Sequence, residues 1–342
     1  MRSLGYRYVV VLSLVVGLSL AGVKSSGAQS RWFRGNTHTH TNKAAPDVAA
    51  RWYREHHYHF LVLTDVNRRT PVAGLNSILA APGRFLVLDG IELSQEKGGK
   101  LIDVNGMGLT GEIRQPSGSS VVEMLNSAAK AVRDAGGIPV IDHPNLTWAL
   151  TEADIAAATE FRHFEVWNAE PGMHNRGGGG SPSTEEIWDA VLSRGQVLYG
   201  LAADDSHDFH GEFSQWKANP GRAWIMVRAS ELSRQALLDA IDRGDFYATT
   251  GVEFRRYEVT PRQIRIDLPE EVYGFEWLEP GRNPTRYRTY FIGKGGEVLA
   301  IDKSLTPTYQ LTGSELYVRA RVEDSSGRVA WTQPVFPERL SD

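Results

Sequence analysis

The chain has 342 residues, 41% hydrophobic and 23% charged, an ordinary globular composition with ample material for a buried core. It has no cysteine, which excludes disulfides, thiolate metal sites and a cysteine-borne lipid anchor. The net charge is −4 and no Lys/Arg block stands out, so nonspecific binding to duplex nucleic acid, which depends on phosphate neutralisation, is disfavoured.

Residues 1–28 read as a secretory signal peptide. Arg2 and Arg7 precede the apolar run "VVVLSLVVGLSLAG" (9–22), and "SGA" (26–28) places small residues before Gln29. The run is short for a membrane span, which needs about 20 apolar residues. Cleavage near Ala28 and export to the periplasm or outside the cell are expected, with no stable membrane insertion afterwards. The leader carries Arg2, Arg7 and Lys24 and no acid, so its loss takes the net charge from −4 to −7.

From 31 to about 250, short apolar runs alternate with helical patterns. Strands are predicted at 31–38, 59–65, 85–93, 137–143, 163–168, 197–204 and 222–228. Several are apolar on both parities, as in strands buried on both faces of a parallel sheet. A helix over 47–57 carries Val48, Trp52 and Tyr53 on one side. Ser120 and Glu123 have capping-box spacing for a helix over 120–136, and Ser183 and Glu186 repeat it for 184–194. Ser230 is placed to cap 231–243, with Gly244 as its stop. This alternation implies βα units around a parallel sheet, whose functional residues lie at the carboxyl ends of strands. After Gly251 helical periodicity stops. The runs "RQIRIDL" (262–268), "RYRTYFIG" (286–293) and "SELYVRARVED" (314–324) mark 255–338 as a small β-sandwich appendage.

Ligand-type residues recur at the predicted strand ends. "NTHTH" places His38 and His40 at i and i+2, on one side of a strand. "LTD" places Asp65, "GIELS" Glu92, "IDVNG" Asp103 and "IDHPN" His143. "EVWN" places Glu165 and Asn168, and "ADDSH" places Asp205 and His207. So many at one end of the sheet point to a metal centre. Imidazole and carboxylate without thiolate suit Zn, Mn or Fe, and such an ion brings the pKa of water down toward about 7, making a hydroxide nucleophile at neutral pH. Arg68 and Arg69 after Asp65 are candidates to clamp an anionic substrate. Arg176, in the glycine-rich run 176–180, is a candidate loop contact, and Trp148 and Trp167 are candidate walls of an apolar pocket. The cluster His56, His57 and His59 reads as surface or capping and the strand-start His163 as structural, while His174 and His210 stand on loops at the site face as candidate substrate contacts.

Taken in order over 31–210, these motifs resemble those of the polymerase and histidinol phosphatase (PHP) superfamily. With "RGDFYATTG" (243–251) and the 319–336 run, the chain looks closest to the exported carbaryl-hydrolase-like branch. The resemblance implies an α/β fold: a distorted (β/α)7 barrel over 29–254, followed here by the C-terminal β-sandwich. It implies a metal-dependent hydrolase, a phosphoesterase first, with a carboxylic or carbamic ester hydrolase as the alternative. A non-catalytic binding protein on a decayed barrel is the rival from another class. His38, His40, Glu92 and Asp205 match the first metal site, Glu92 and His143 the second, and His207 a ligand of the third. Asn168 lies where relatives put a ligand or supporting group and is a candidate substrate contact. Asp103 stands where relatives often have His and can ligate the second metal through oxygen. Val66 replaces a usual His, and "TNKAAPD" lacks a usual Asp, with Asp47 falling in the following helix. Both losses fall on the third site, so one or two divalent ions are expected. His207 or Asp65 is the expected proton shuttle, and the substrate is a small anionic or ester molecule.

Overall fold

The structure is a computed structural model that describes residues 30–81, 83–270 and 284–339. The expected leader at 1–28 lies outside the described residues, as do 271–283 of the expected appendage. The chain runs β1 (Arg31–Asn36), α1 (Pro46–Glu55), β2 (Phe60–Leu63), α2 (Ala73–Leu79), β3 (Leu86–Lys97), β4 (Lys100–Met107) and α3 (Val121–Asp134). It continues with β5 (Ile138–Ile141), α4 (Glu152–Ala157), β6 (His163–Asn168), α5 (Thr184–Leu192), β7 (Tyr199–Ala203), β8 (Trp224–Ala229), α6 (Arg234–Arg243) and β9 (Phe246–Thr249). The last part is β10 (Arg256–Val259), β11 (Gln263–Asp267), β12 (Tyr287–Ile292), β13 (Val298–Asp302), β14 (Thr308–Gln310), β15 (Arg319–Asp324) and β16 (Val329–Thr332).

Local sequence sets most helix ends. Ser183 and Glu186 form the full capping box of α5, and Ser120 caps α3 by accepting from Glu123 N. The cap of α6 is Ser233, not the expected Ser230. β8 runs on to Ala229, so the chain needs the next residues to turn before a helix can begin. Gly244 ends α6 in the left-handed conformation that glycine adopts without steric cost.

The protein is a mixed α/β structure with one large mixed sheet and a separate small antiparallel one. In the large sheet, β1–β2–β3 and β5–β6–β7 pair in parallel, as predicted for βα units. β4 interrupts the series. It turns back on β3 through Gly98–Gly99, both at positive φ, and pairs antiparallel with β3 and β5. The sheet curls so that a parallel bridge, Thr39 to Ser206, joins the chain beyond β1 to that beyond β7. At Gly35 β1 passes the Phe60 ring so closely that any Cβ would collide with it.

The C-terminal strands are not detached. β8 lies antiparallel on β1, β9 on β8, and β16 on β9, so β12, β13, β15 and β16 extend the large sheet. The small sheet β10–β11–β14 faces them across a shared apolar layer that includes Ile264, Ile266, Phe291 and Val322. One leaf of the expected sandwich is therefore continuous with the rest of the fold. Arg319 on β15 welds this leaf to α5. Its guanidinium is buried and makes two bonds, 2.6 and 2.8 Å, to Asp189, which also accepts from Tyr317 Oη at 3.0 Å. Among the described residues no helix is long and apolar enough to cross a membrane.

Breaking a buried ion pair from one side strands the other charge. Arg319→Ala is expected to cost about 3–5 kcal/mol in urea unfolding, and replacing Arg319 and Asp189 together by apolar residues should cost less.

Candidate metal centre

The site starts at the end of β1. Asn36 Oδ1 accepts from His38 N (3.0 Å), and its amide donates to Ala223 O (3.1 Å). Thr39 N donates to Thr64 Oγ1 (3.0 Å), Thr39 O accepts from Thr64 N (2.9 Å), and His40 N donates to Ser206 O at 2.9 Å. The chain stays extended between its neighbours, so residues i and i+2 share a side. The Nε2 atoms of His38 and His40 stand 3.1 Å apart.

Two carboxylates and a third imidazole converge on this pair. Asp205 Oδ1 lies 2.9 Å from His40 Nε2 and 3.3 Å from His38 Nε2. Glu92 Oε2 lies 3.5 Å from His40 Nε2, and its Oε1 lies 3.4 Å from His143 Nε2. All five side chains are buried. Glu165 orients two of them. It accepts from His38 Nδ1 (2.8 Å) and from His143 N (3.0 Å), so the His38 Nε2 lone pair faces the cluster. Asn168 donates to both Glu165 (2.8 Å) and Asp205 (3.1 Å). Its role is to hold these carboxylates, not to face substrate. A register shift in β6 between Glu165 and Trp167 brings positions 165 and 168 to one face.

Asp205 is held from behind. Its φ is +48°, in the left-handed region that Asp tolerates better than most side chains. The buried carboxylate of Asp204 accepts from the amides of Gly221 (2.7 Å), Arg222 (2.6 Å) and Ala223 (2.8 Å) and from Tyr53 Oη (2.8 Å).

Burial by itself would strip the proton from His143, but its bond to Glu92 and the charges of Asp205, Glu165 and Asp142 override it and raise its pKa to about 10. His38 is raised in the same way, chiefly by Asp205 and Glu165 against the effect of burial. Burial pushes Glu92 upward, yet the bonds from His143 and His38 hold it well below the usual carboxylate range. Asp205 is also held down, by His38, His207 and His40 acting against burial. These acceptors thus demand positive charge in their midst. Two imidazole nitrogens about 3 Å apart, with carboxylate oxygens beside them, match the donor spacing of a divalent ion with metal–nitrogen bonds of about 2.0–2.1 Å. Three groups have donor atoms within 4.8 Å of one another: His38, His40 and Asp205; His38, Glu92, Asp142 and His143; and Glu170, Asp205 and His207.

Several residues take other places than the sequence implied. Asp142, not Asp103, joins the second group, and its Oδ2 is buried without a partner. Asp103 stays at the edge, 3.9 Å from His143 Nδ1, with burial pushing its pKa up to about 6. Asp65 does not enter the cluster. Its carboxylate accepts from Thr41 N (2.6 Å), Thr41 Oγ1 (2.5 Å), Thr70 Oγ1 and Arg68 (3.2 Å), which makes it a clasp between loops and leaves it poorly suited to shuttle protons. Arg68 is engaged by Asp65. Arg69 bonds Gly111 O (2.6 Å) and Asp89 (2.9 Å). Arg176 lines a cleft of about 500 Å³ with Trp167, Glu185 and Arg321, where Trp167 stacks on Trp331. Asp47 lies in α1, paired with Arg51.

At the third group Val66 offers no ligand and Asp47 lies in α1, yet Glu170 Oε1 comes within 3.7 Å of His207 Nε2. His207 stacks on His40 (4.2 Å, 5°) and places Nδ1 2.9 Å from Asn42 Oδ1, which leaves Nε2 toward Glu170 and Asp205. Glu170 lies past the predicted 163–168 strand, and Asp142 sits within the predicted 137–143 strand, where alternation assigns it to the face opposite His143. His163 is structural as read, bonding Ile241 O at 3.0 Å. His59 Nδ1 accepts from Arg34 N, and His56 stacks on Trp52.

No protein-family model and no curated protein sequence matches the chain. Three solved structures are similar in fold at low identity. A two-domain protein from Bacteroides vulgatus, containing a predicted PHP-like metal-dependent phosphoesterase, aligns over 90% of this chain and 96% of its own, with 11% identity and a TM-score of 0.46. A protein from Bifidobacterium adolescentis assigned as a metal-dependent phosphoesterase covers 53% of this chain and 90% of its own, at 11% identity and a TM-score of 0.37. An amidohydrolase from Chromobacterium violaceum covers 52% and 87%, at 17% identity and a TM-score of 0.32. Likenesses this distant say nothing of the chemistry here.

The raised pKa of His143 fixes the sign of a pH effect. Its contribution to the metal-free protein is complete below the unfolded value of 6.5 and is lost as pH rises through about 10. The thermal midpoint of the metal-free protein should therefore fall over that window. A divalent ion needs the deprotonated imidazole, so ion binding should tighten and release protons over the same window, measurable by calorimetry in buffers of different ionisation enthalpy.

Proposed function

We propose that the protein is a metal-dependent hydrolase. The observation that carries this reading is the buried convergence of His38, His40, Glu92, His143 and Asp205, whose ligand atoms fall into groups that lie within 4.8 Å of one another. His38, His40, Glu92 and Asp205 would hold one divalent ion, and Glu92, His143 and Asp142 a second, from the set Zn, Mn or Fe. Such ions supply Lewis-acid polarisation of an ester or phosphoryl oxygen and lower the pKa of water toward about 7. Around them the chain's own residues divide the work. Glu165 fixes the His38 tautomer, and Asn168 holds the Glu165 and Asp205 carboxylates in place. His207 is half-buried at the rim, with Nε2 turned inward beside Glu170, and is the residue placed to carry a proton to a leaving group.

The rim supports an uncharged ester, carboxylic or carbamic, over a phosphoester. Arg68 Nη2 bonds Asp65, and Arg69 bonds Asp89 and Gly111 O, so both guanidiniums already spend donors on protein acceptors. The phosphoester reading keeps one observation in its favour. A further cation among Glu170, Asp205 and His207 would add the positive charge that a phosphoryl group requires. The leader-like segment makes export part of the same proposal.

The test is a metal analysis of residues 29–342, followed by assays on aryl-ester, phosphomonoester and phosphodiester panels with Mn and Zn. Bound metal and faster turnover of esters are expected. His40→Ala should lose both metal and turnover while keeping its far-UV circular dichroism. A protein that takes up no ion and stays inactive on every panel would be a binding module on a decayed barrel.

A further inference from the structure

The cleft of about 500 Å³ that Arg176 lines lies away from the metal centre. Asn168 turns its amide to Asp205, so Trp167, the residue before it, faces the other side of β6, where it stacks on Trp331. The loop after β6, the start of α5 and the turn between β15 and β16 bound the cleft.

Its acceptors are already engaged. Glu185 accepts from Arg321 Nε (3.0 Å) and Arg319 Nη1 (3.2 Å). Glu323 accepts from Arg321 and from Tyr290 Oη (3.3 Å). Asp324 accepts from the amides of Ser326 and Arg328, both at 2.9 Å, and from the Arg328 side chain. The Asn175 side chain exchanges two bonds with the Asn168 backbone, 3.0 and 2.7 Å, and Ser183 is taken up in the capping box of α5.

The donors are not. Arg176 makes no hydrogen bond or ion pair among the described residues, and its guanidinium stands 5.7 Å from the centroid of the Trp167 ring. Trp331, stacked on Trp167, keeps a buried indole N–H without an acceptor. The loop that presents Arg176 is pinned. Gly177 N donates to His174 O (2.9 Å), and Gly178 and Ser181 exchange backbone bonds (3.0 and 2.9 Å).

The spare hydrogen-bonding capacity of the cleft is thus donor capacity centred on one guanidinium, and it calls for a charged acceptor. One unit of charge is the limit. Of the two lining cations Arg321 is engaged by Glu185 and Glu323, and those carboxylates with Asp324 repel a dianion such as phosphate. A guanidinium fork matches a carboxylate through two parallel bonds. Trp167 and Val329 add an apolar wall suited to an organic acid, and the volume is that of a small-molecule site. We propose that this cleft is a second ligand site, separate from the metal centre, that takes a small organic monocarboxylate with Arg176 as its counter-ion. It stands independently of the hydrolase reading.

The experiment is calorimetric titration of residues 29–342, metal-loaded, with acetate and benzoate. Saturable binding of at least one acid is expected. Arg176→Ala should weaken it by at least about tenfold, the size of one charge-assisted pair, with metal content unchanged, and Arg176→Lys, which keeps the charge and loses the fork, should fall between. Arg176 is exposed and unbonded among the described residues, so these changes leave the fold intact. His40→Ala, which empties the centre, should retain the affinity. In that variant benzamide, with the same ring and no charge, and inorganic phosphate should bind at least about tenfold more weakly than benzoate. No saturable binding of either acid, equal affinity for benzamide, or an affinity that survives Arg176→Ala overturns the site. Binding lost in His40→Ala but kept in Arg176→Ala assigns the acid to the metal centre and overturns it as well.

Discussion

Placing three imidazoles and two carboxylates out of water is the constraint on which the rest of this fold turns. Desolvation penalises every charged form, so the carboxylates need positive charge beside them. In the metal-free chain His38 and His143 keep protons far beyond their ordinary range because Glu92 and Asp205 require positive charge beside them. A divalent ion would meet the same requirement. The surrounding polar residues make sense as supports of that arrangement. Asn36, Glu165 and Asn168 spend their hydrogen bonds on fixing the orientation of ligand-type groups.

The scaffold reaches this arrangement by departing from regularity at a few points. The shift in β6 brings Glu165 and Asn168 to one side, where strict alternation would separate them. Asp205 takes a left-handed backbone, and Asp204 beside it is tied by three amides and a tyrosine hydroxyl, so the turn is set by bonds outside the cluster. The bridge from Thr39 to Ser206 joins the chain beyond β1 to that beyond the edge strand β7, which puts His40 next to Asp205. Trp148 and His174 follow the same pattern, with left-handed backbones on two loops that the Asn145 amide ties together through His174 O.

Much of the centre was legible before any coordinates. His38 and His40 obey strand periodicity, and Glu92, His143 and Asp205 stand at or near predicted strand ends, so pattern alone placed them together. Glu170 lies beyond the predicted strand end, where periodicity carries no information, and Asp142 lies next to His143, where strict alternation assigns it to the opposite face. Asp103 and Asp65 were overvalued for the opposite reason. A carboxylate at the right end of a strand can face a loop as readily as an ion, and Thr41 and Thr70 claimed Asp65. Arg68 and Arg69 looked free in one dimension because their partners are either adjacent in space through a turn or, as with Asp89, on another strand.

Composition and local pattern determined the alternation of strands and helices, most helix caps, the thiol-free donor set and the main histidines and carboxylates, since each depends on residues within about one or two turns of chain. Tertiary structure decided that β4 runs backward, that β16 pairs with β9 and joins the C-terminal leaf to the large sheet, and which carboxylates meet the histidines. Those outcomes depend on pairings across tens to hundreds of residues, where the free energy lies in burial and shared hydrogen bonds that no single stretch of sequence contains.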